Sequence, residues 1–249
     1  MGFMMSNQQI RGYTYLELAI SMVILSIIYV GFMSAYVRLT ALDYYKTSEK
    51  QIKTIQEAID NYIKKTGTLP CPASLTSQEN TSSYGKSTDC STAAVSGVID
   101  SNSGANAVRV GGVPFKNLNL LPSYTYDLWG NRIVYAAVKN LATTSSSFLT
   151  NTPNAAFIIY DQSGNSIIPS ANTAYILVSL GRDSKGAYAK KGTITVGCGT
   201  ALEKENCNYD YIFVTAPYND GKKSKQFDDI VKWKTRSQLI VDNQLAMNP

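Results

Sequence analysis

The sequence contains no histidine, and this absence narrows the chemistry that the chain can perform. Histidine is the side chain that most often transfers protons near neutral pH, and it is a common metal ligand. Catalysis by a histidine base or by a histidine-bound metal is therefore excluded. Proline is absent between Tyr13 and Leu69, so a helix over this stretch would have no proline kink.

Short strings that match catalytic motifs stand in the wrong context. Ser83 precedes Lys86 with the Ser-x-x-Lys spacing of penicillin-recognising enzymes, and Lys65 begins a Lys-Thr-Gly string. Those enzymes carry the serine on a core helix and the Lys-Thr-Gly string later in the chain, whereas here the order is reversed and Ser83 lies in a polar stretch. Residues 104–112 lack the lysine and the spacing of a phosphate-binding loop. We predict that the protein is not an enzyme.

The N-terminal region contains a charge-free run over residues 18–37, which is about the length that a helix needs to cross a bilayer. Glu17 stands directly before this run, where burying an unpaired charge in the membrane is unfavourable. A secretory signal peptide has a shorter apolar core followed by a small-residue cleavage site, whereas this run continues into a helical pattern without a break. We therefore predict a retained membrane anchor.

Downstream of the apolar run, the pattern predicts one α-helix followed by a sheet. Apolar residues recur every three to four positions over residues 38–66, and Gly67 and Pro70 end the helix. Five segments bounded by turn residues predict strands: 132–139, 155–160, 174–180, 193–196 and 209–216. Because no helical pattern separates them, we expect an antiparallel sheet covered on one face by the second half of the helix, in an α+β fold.

The rest of the chain predicts less regular structure. Residues 73–112 are rich in Ser, Thr, Asn and Gly, and we expect an irregular surface loop there, with a short element over 93–100. Near the C-terminus, residues 230–233 predict a further strand, and a short helix is expected from residue 237 towards residue 246.

Four cysteines fall in two local pairs, Cys71 with Cys90 and Cys198 with Cys207. Neither spacing matches the short ligand pairs of zinc fingers or ribbons, so disulfides fit better than zinc. Three connectivities are open, and the two local pairs are favoured because short loops close most easily. Disulfides also indicate an oxidising compartment such as the bacterial periplasm.

The junction before the apolar run carries a family signature. Gly12 is followed by Tyr13, and Glu17 is the fifth residue after the glycine. This order resembles the type IV pilin and pseudopilin family, whose precursors are cut after a glycine by a prepilin peptidase that methylates the new N-terminus. The resemblance implies a leader at 1–12, a methylated Tyr13, a transmembrane and assembly helix at 13–37, its amphipathic half at 38–66 and a periplasmic sheet domain with disulfide-tied loops at 67–249.

The resemblance also assigns a role to Glu17. In a filament, the Glu17 carboxylate of one subunit would neutralise the Tyr13 amine of its neighbour, so that a charge that is unfavourable alone becomes tolerable in the assembly. The competing interpretation is that Glu17 only interacts with the helix dipole, which is worth roughly 0.3–1 kcal/mol.

Three later segments resemble major pseudopilins of type II secretion. They are Leu121-Pro122 with Asp127-Leu128-Trp129-Gly130-Asn131 and Tyr135, Ser179-Leu180-Gly181-Arg182-Asp183, and Asp228-Asp229-Ile230 with Trp233. The first segment is also what a tight turn before a strand requires. In that family the acidic residues of the last two segments bind calcium, so Asp183 and Asp228 are implied as ligands, with Asp229 as a third candidate.

The chain departs from the family pattern around these aspartates. About forty residues separate the last two segments, and Lys185-Gly186-Ala187 replaces the usual glycine pair. The alternative is that the aspartates only cap turns. No cofactor is required by this interpretation, and calcium is the one candidate.

The function that follows from the resemblance is a structural subunit of a type II secretion pseudopilus or a related type IV filament. Its partners would be prepilin peptidase, an inner-membrane assembly platform and other subunits of a homo- or hetero-oligomeric filament.

The N-terminus would be cytoplasmic and the domain periplasmic. Basic residues alone predict the opposite orientation, because Arg11 precedes the apolar run and Arg38, Lys46, Lys50 and Lys53 follow it. The peptidase site and the paired cysteines outweigh that rule.

The alternative function is a minor pilin that acts as an adhesin or a DNA-binding module. Its support is the Tyr-rich and Ser/Thr/Asn-rich loops and the basic residues Lys222, Lys223 and Lys225. The formal net charge is only +5 and the charges are scattered, so composition does not by itself predict a nucleic-acid partner.

Overall fold

The computed structural model describes residues 14–144, 156–167, 172–199, 202–219 and 226–245. The chain divides into two compact units, residues 1–43 and 44–249, and each is described by itself. Helix α1, Tyr15–Thr66, begins in the first unit and ends in the second. The described part of the first unit is therefore almost entirely this helix.

The first unit leaves its apolar side chains uncovered. Side chains from Leu16 to Val37, such as Ile24 and Ile27, are all exposed. A helix that is apolar on all faces belongs in a membrane or in the interior of an assembly. Within the described residues, α1 is the one helix long and apolar enough to span a membrane. This agrees with the predicted anchor at the level of length and composition.

In the second unit, the end of α1 covers the sheet with one apolar face. Ile52, Ile55, Ile59 and Ile63 are fully buried, and they belong to the same core cluster as the strands. Their spacing of three to four residues places them on one side of the helix, as predicted. Gly67 adopts φ of 71° and donates its N–H to the carbonyl of Ile63 at 2.7 Å, which ends the helix at the predicted position.

Among the residues that the structure describes, the main sheet has five strands and is antiparallel throughout. The strands of the second unit are β1 Ile99–Ser101, β2 Val108–Gly112, β3 Val134–Val138, β4 Ile158–Tyr160, β5 Thr173–Ser179, β6 Ile212–Val214 and β7 Ile230–Thr235. The main sheet has the order β1-β2-β3-β5-β7. Strands β3 and β5 are central and fully buried. The predicted α+β architecture, a long helix on an antiparallel sheet, is confirmed at this level.

The predictions for the other strands need correction. The segments 155–160 and 209–216, which the sequence places in the antiparallel sheet, contain β4 and β6. These two strands instead pair in parallel with each other in a separate two-stranded sheet. Residues 193–196 form no strand and make only isolated bridges, Ile194 with Tyr188 and Val196 with Lys185. A short apolar run predicts an extended conformation, but the connections around it decide its partner and direction.

Residues 73–112 are also more ordered than predicted. Strands β1 and β2 end this segment, and β2 is buried along its whole length. Ala73 exchanges backbone hydrogen bonds with Gly112, at 2.9 and 2.7 Å. A Cβ at Gly111 would lie 2.5 Å from the Ala73 carbonyl oxygen, so glycine permits this close approach. Gly111, one of the glycines that suggested a loop, is therefore required where the strand packs against Ala73.

The two disulfides join Cys71 to Cys90 and Cys198 to Cys207, which is the favoured pairing. The first loop is further tied by the fully buried Arg109, whose guanidinium pairs with Asp100 at 2.7 Å and donates to the carbonyls of residues 89 and 92. In the second disulfide, Cys207 is the last residue of helix α2, Lys204–Cys207.

The C-terminal segment forms α3, Arg236–Asn243, one residue earlier than predicted at its start. Thr235 and Gln238 form a capping box that begins the helix. Residue 246, where the prediction ends, lies outside the described residues.

Candidate functional site

The predicted cleavage and methylation sites, Gly12 and Tyr13, lie outside the described residues, as do Lys222, Lys223 and Lys225 of the alternative function. The description begins at Thr14, and Glu17 stands in the first turn of α1. The Glu17 carboxylate accepts the backbone N–H of Thr14 at 2.9 Å and its hydroxyl at 3.0 Å, while the Glu17 N–H donates to the Thr14 hydroxyl at 3.3 Å. These reciprocal bonds are a capping box. In the single chain, Glu17 is thus a helix-capping residue with an exposed side chain.

The predicted turn at Trp129 is present and is organised around Asp127. The Asp127 carboxylate accepts the N–H groups of Trp129 at 3.0 Å and Asn131 at 2.9 Å, and Gly130 between them adopts φ of 85°. Asp127 is only 5% exposed. Burial raises the pKa of Asp127 from 3.8 to about 6, although the surrounding hydrogen-bond donors oppose the shift.

Hydrogen bonds connect this turn to the second family-like segment. Ser179 donates its hydroxyl to the Asp127 carboxylate at 2.7 Å, and the Asn131 side chain donates to the Gly181 carbonyl at 2.6 Å. From α1, the Ser48 hydroxyl accepts the N–H of Leu128 at 3.2 Å. The turn is therefore held by both the helix and the end of β5.

The second and third segments meet through Asp228. Its carboxylate oxygen Oδ2 accepts the N–H groups of Arg182 at 2.7 Å and Asp183 at 3.0 Å. Gly181 makes this contact possible, because it adopts φ of 59° and a Cβ there would lie 2.5 Å from the Asp228 carbonyl oxygen. The last two segments, far apart in sequence, are thus in direct contact.

The structure brings Asp183 and Asp228 together with a third carboxylate, Glu203. One oxygen from each lies within 4.8 Å of the others. Glu203 accepts the N–H of Asp228 at 2.7 Å, and both side chains are 2% exposed. The third predicted ligand, Asp229, instead accepts a hydrogen bond from Asn206 at 2.9 Å.

Three buried carboxylates of this region, those of Asp228, Glu203 and Asp229, have raised pKa values. Burial, reinforced by the Asp183 charge, raises the pKa of Asp228. Burial likewise raises the pKa of Glu203 and that of the buried Asp229. Burial therefore favours either protonation of these carboxyl groups or a cation that lies beside them.

One cation of the chain already contacts the cluster. The Lys185 ammonium pairs with the Asp183 carboxylate and lies 3.5 Å from that of Glu203. Desolvation lowers the pKa of Lys185, but the ion pair with Asp183 outweighs it and the net shift is upward.

As a calcium site, the cluster has a partial donor set. The buried oxygen Oδ1 of Asp228 has no hydrogen-bond partner among the described residues, as expected of a ligand atom. Calcium takes six to eight oxygen ligands, however, and Lys185 contacts two of the three grouped carboxylates. In this arrangement the residues do not fit calcium, because an ammonium and a calcium ion cannot share the same oxygens.

Glu203 is the site residue that sequence reasoning missed. It lies inside the long connection between the two aspartate segments, outside every family-like motif. Its only local signal is its position in the loop that Cys198 and Cys207 close.

Comparison of the chain with protein-family models, with curated proteins and with solved structures finds no match.

Proposed function

We propose that the protein is a non-enzymatic structural subunit of a pilin-like filament, either a type II secretion pseudopilus or a related type IV filament. The observation that carries the proposal is α1, Tyr15–Thr66, whose first half exposes apolar side chains on every face while its end packs on the sheet. Such a surface must be covered by lipid or by equivalent helices of neighbouring subunits. In a filament subunit that moves from the membrane into a filament, lipid would cover this helix first and the helices of neighbouring subunits would cover it afterwards.

Assembly would depend on Glu17. Its exposed carboxylate is satisfied by Thr14 in the single chain, so a neighbouring Tyr13 amine would replace hydrogen bonds from Thr14 with an ion pair. Within a bundle of apolar helices, a carboxylate is tolerable when a positive charge pairs with it. Glu17→Ala should therefore insert into the membrane but fail to enter filaments.

The matched control is Glu57→Ala, which removes an exposed glutamate from the same helix in the second unit. Quantifying each variant in sheared filament fractions tests the assignment. Equal incorporation of Glu17→Ala and Glu57→Ala would contradict it.

Processing is tested separately by mass spectrometry of the mature N-terminus. With prepilin peptidase present, the chain should begin at methylated Tyr13, and without the peptidase it should retain residues 1–12. A different mature end would contradict the family assignment.

The proposed location is the bacterial inner membrane, with a single span and a periplasmic domain. Its support is the apolar helix and the two disulfides, which persist in an oxidising compartment. Protease added to spheroplasts should digest the domain while the span stays with the membrane. Full protection of the domain in intact spheroplasts would contradict this orientation.

The minor-pilin alternative stays a prediction. Calcium binding by Asp183, Asp228 and Asp229 is untested, and the contacts of Lys185 with the Asp183 and Glu203 carboxylates argue against it in the native chain. A melting temperature of the native chain that rises with calcium and falls with a chelator would reinstate the calcium prediction. Salt-sensitive DNA binding by the chain would favour the alternative, whereas loss of secretion on deletion would favour the pseudopilus.

A further inference from the structure

The acidic cluster requires neutralisation if the fold is to keep it buried. Asp183, Glu203 and Asp228 each place an oxygen within 4.8 Å of the others, and Glu203 and Asp228 are 2% exposed. Like charges at this separation, away from water, disfavour the ionised forms. Either bound protons or a positive charge must therefore accompany the folded cluster.

The backbone around Lys185 directs its side chain back to the cluster. Ser184 adopts φ of 55°, and the Lys185 N–H donates to the Asp183 carboxylate at 3.1 Å, so the chain reverses directly after Asp183. The ammonium then pairs with Asp183 Oδ2 and lies 3.5 Å from Glu203 Oε2. The Lys185 side chain is only 28% exposed, so water screens these contacts weakly.

The disulfide-closed loop holds the lysine stem in place. A Cβ at Gly199 would lie 3.1 Å from Lys185 Cδ, which means that the Gly199 backbone packs against the methylene chain. Gly199 directly follows Cys198, and Glu203 lies before Cys207 in the same closed loop. The loop thus supplies both a carboxylate for the ammonium and a surface for its stem.

We propose that Lys185 is the resident cation of the acidic cluster, and that removing its charge turns the cluster into a divalent-cation site formed by Asp183, Glu203 and Asp228. A tethered ammonium competes with free ions at a high effective concentration, so it prevails over a dissolved cation. The all-oxygen donor set defines the class of ion as a hard divalent cation such as calcium. The native chain accordingly folds without calcium.

The experiment uses the full chain in detergent micelles and follows thermal unfolding with calcium chloride or with EDTA. The native chain should melt at the same temperature in both. Lys185→Gln should melt lower in EDTA and regain about 5 °C or more when calcium is a hundredfold above its dissociation constant. Lys191→Gln removes an exposed lysine from the same domain and serves as the charge-matched control, with no calcium response expected.

Two further measurements keep the outcome decisive. Lys185→Gln combined with Glu203→Gln should lose the calcium response, because one ligand is then neutral. Calorimetric titration of the native chain with calcium should show no saturable binding. This titration tests the proposal even if Lys185→Gln does not fold. Saturable binding or a calcium-dependent melt of the native chain would overturn the proposal, as would a folded Lys185→Gln that ignores calcium.

Discussion

Asp127 makes the protein less stable as pH rises through the weakly acidic range. Its pKa lies at about 6 in the folded chain, against 3.8 for the ordinary carboxyl group, and burial is the main cause. A raised pKa means that the fold favours the protonated form. Asp127 therefore has no unfavourable effect well below pH 3.8, and it destabilises progressively as pH rises from 3.8 to about 6, above which the effect is constant.

The magnitude follows from the size of the shift. A difference of about two pKa units corresponds to about 3 kcal/mol between the low-pH and high-pH limits. Asp127→Asn imitates the neutral carboxyl and should remove this contribution. The Asn oxygen can still accept the N–H groups of Trp129 and Asn131, so the turn itself is preserved.

The assay is urea unfolding of the full chain in detergent micelles at pH values from about 3 to 8, which begins below the ordinary pKa of 3.8. The free energy of unfolding of the native chain, minus that of Asp127→Asn, should fall by about 3 kcal/mol across this range. A flat difference, or one that rises with pH, would refute the reasoning.

Asp161 offers a matched control because Asn165 and Gly164 complete the same turn around it. Its carboxylate accepts the N–H groups of Ser163 at 2.8 Å and Asn165 at 2.9 Å, but Asp161 is partly exposed, whereas Asp127 is buried. There the hydrogen bond from the Asn165 N–H is the main cause that lowers the pKa of Asp161. Its contribution is present at neutral pH and is lost as pH falls, so Asp161→Asn should change the pH dependence in the opposite direction.

Further predictions concern packing, backbone conformation and covalent links. Ile59→Ala should lower the free energy of unfolding by about 2–5 kcal/mol, because Ile59 is fully buried between α1 and the sheet; a change below 1 kcal/mol in urea unfolding would contradict this packing. Gly181→Ala should lower the free energy of unfolding by about 1–3 kcal/mol or more, because residue 181 adopts φ of 59° and the added Cβ would lie 2.5 Å from the Asp228 carbonyl oxygen. An unchanged melting temperature would contradict that contact. Replacing Cys71 and Cys90 by serine should cost about 3 kcal/mol by the loop-entropy argument for a separation of 19 residues, and equal stability of the variant and the native chain in urea would contradict it.

The accuracy of the sequence predictions differs between elements for physical reasons. Helix α1 was predicted almost to the residue, because its signals are local: an apolar run, a three-to-four-residue period and Gly67 at its end. Strand β2 was missed because its glycines indicate a loop, and only the approach of Ala73 explains why Gly111 is needed. The same holds for β6, whose extended pattern does not encode the parallel partner β4.

The candidate site shows the same division. Asp183 and Asp228 could be named from motifs, and both do lie in the cluster. Glu203 and the contact of Lys185 with two carboxylates could not be named, because neither residue belongs to a motif that specifies such a contact. Sequence reasoning could note that Lys185 departs from the family pattern, but not what the lysine contacts.

By itself, the sequence determined the membrane-length helix, its amphipathic continuation, the central strands and the local disulfide pairs, because periodicity and short loop closure act between residues near in the chain. Only the tertiary structure decided that Asp127 is buried and accepts a hydrogen bond from Ser179 of β5, that the disulfide-closed loop carries Glu203 to Asp228, and that the Lys185 ammonium contacts both Asp183 and Glu203. These contacts join residues far apart in sequence, or they depend on how such residues pack, and no local pattern specifies that packing.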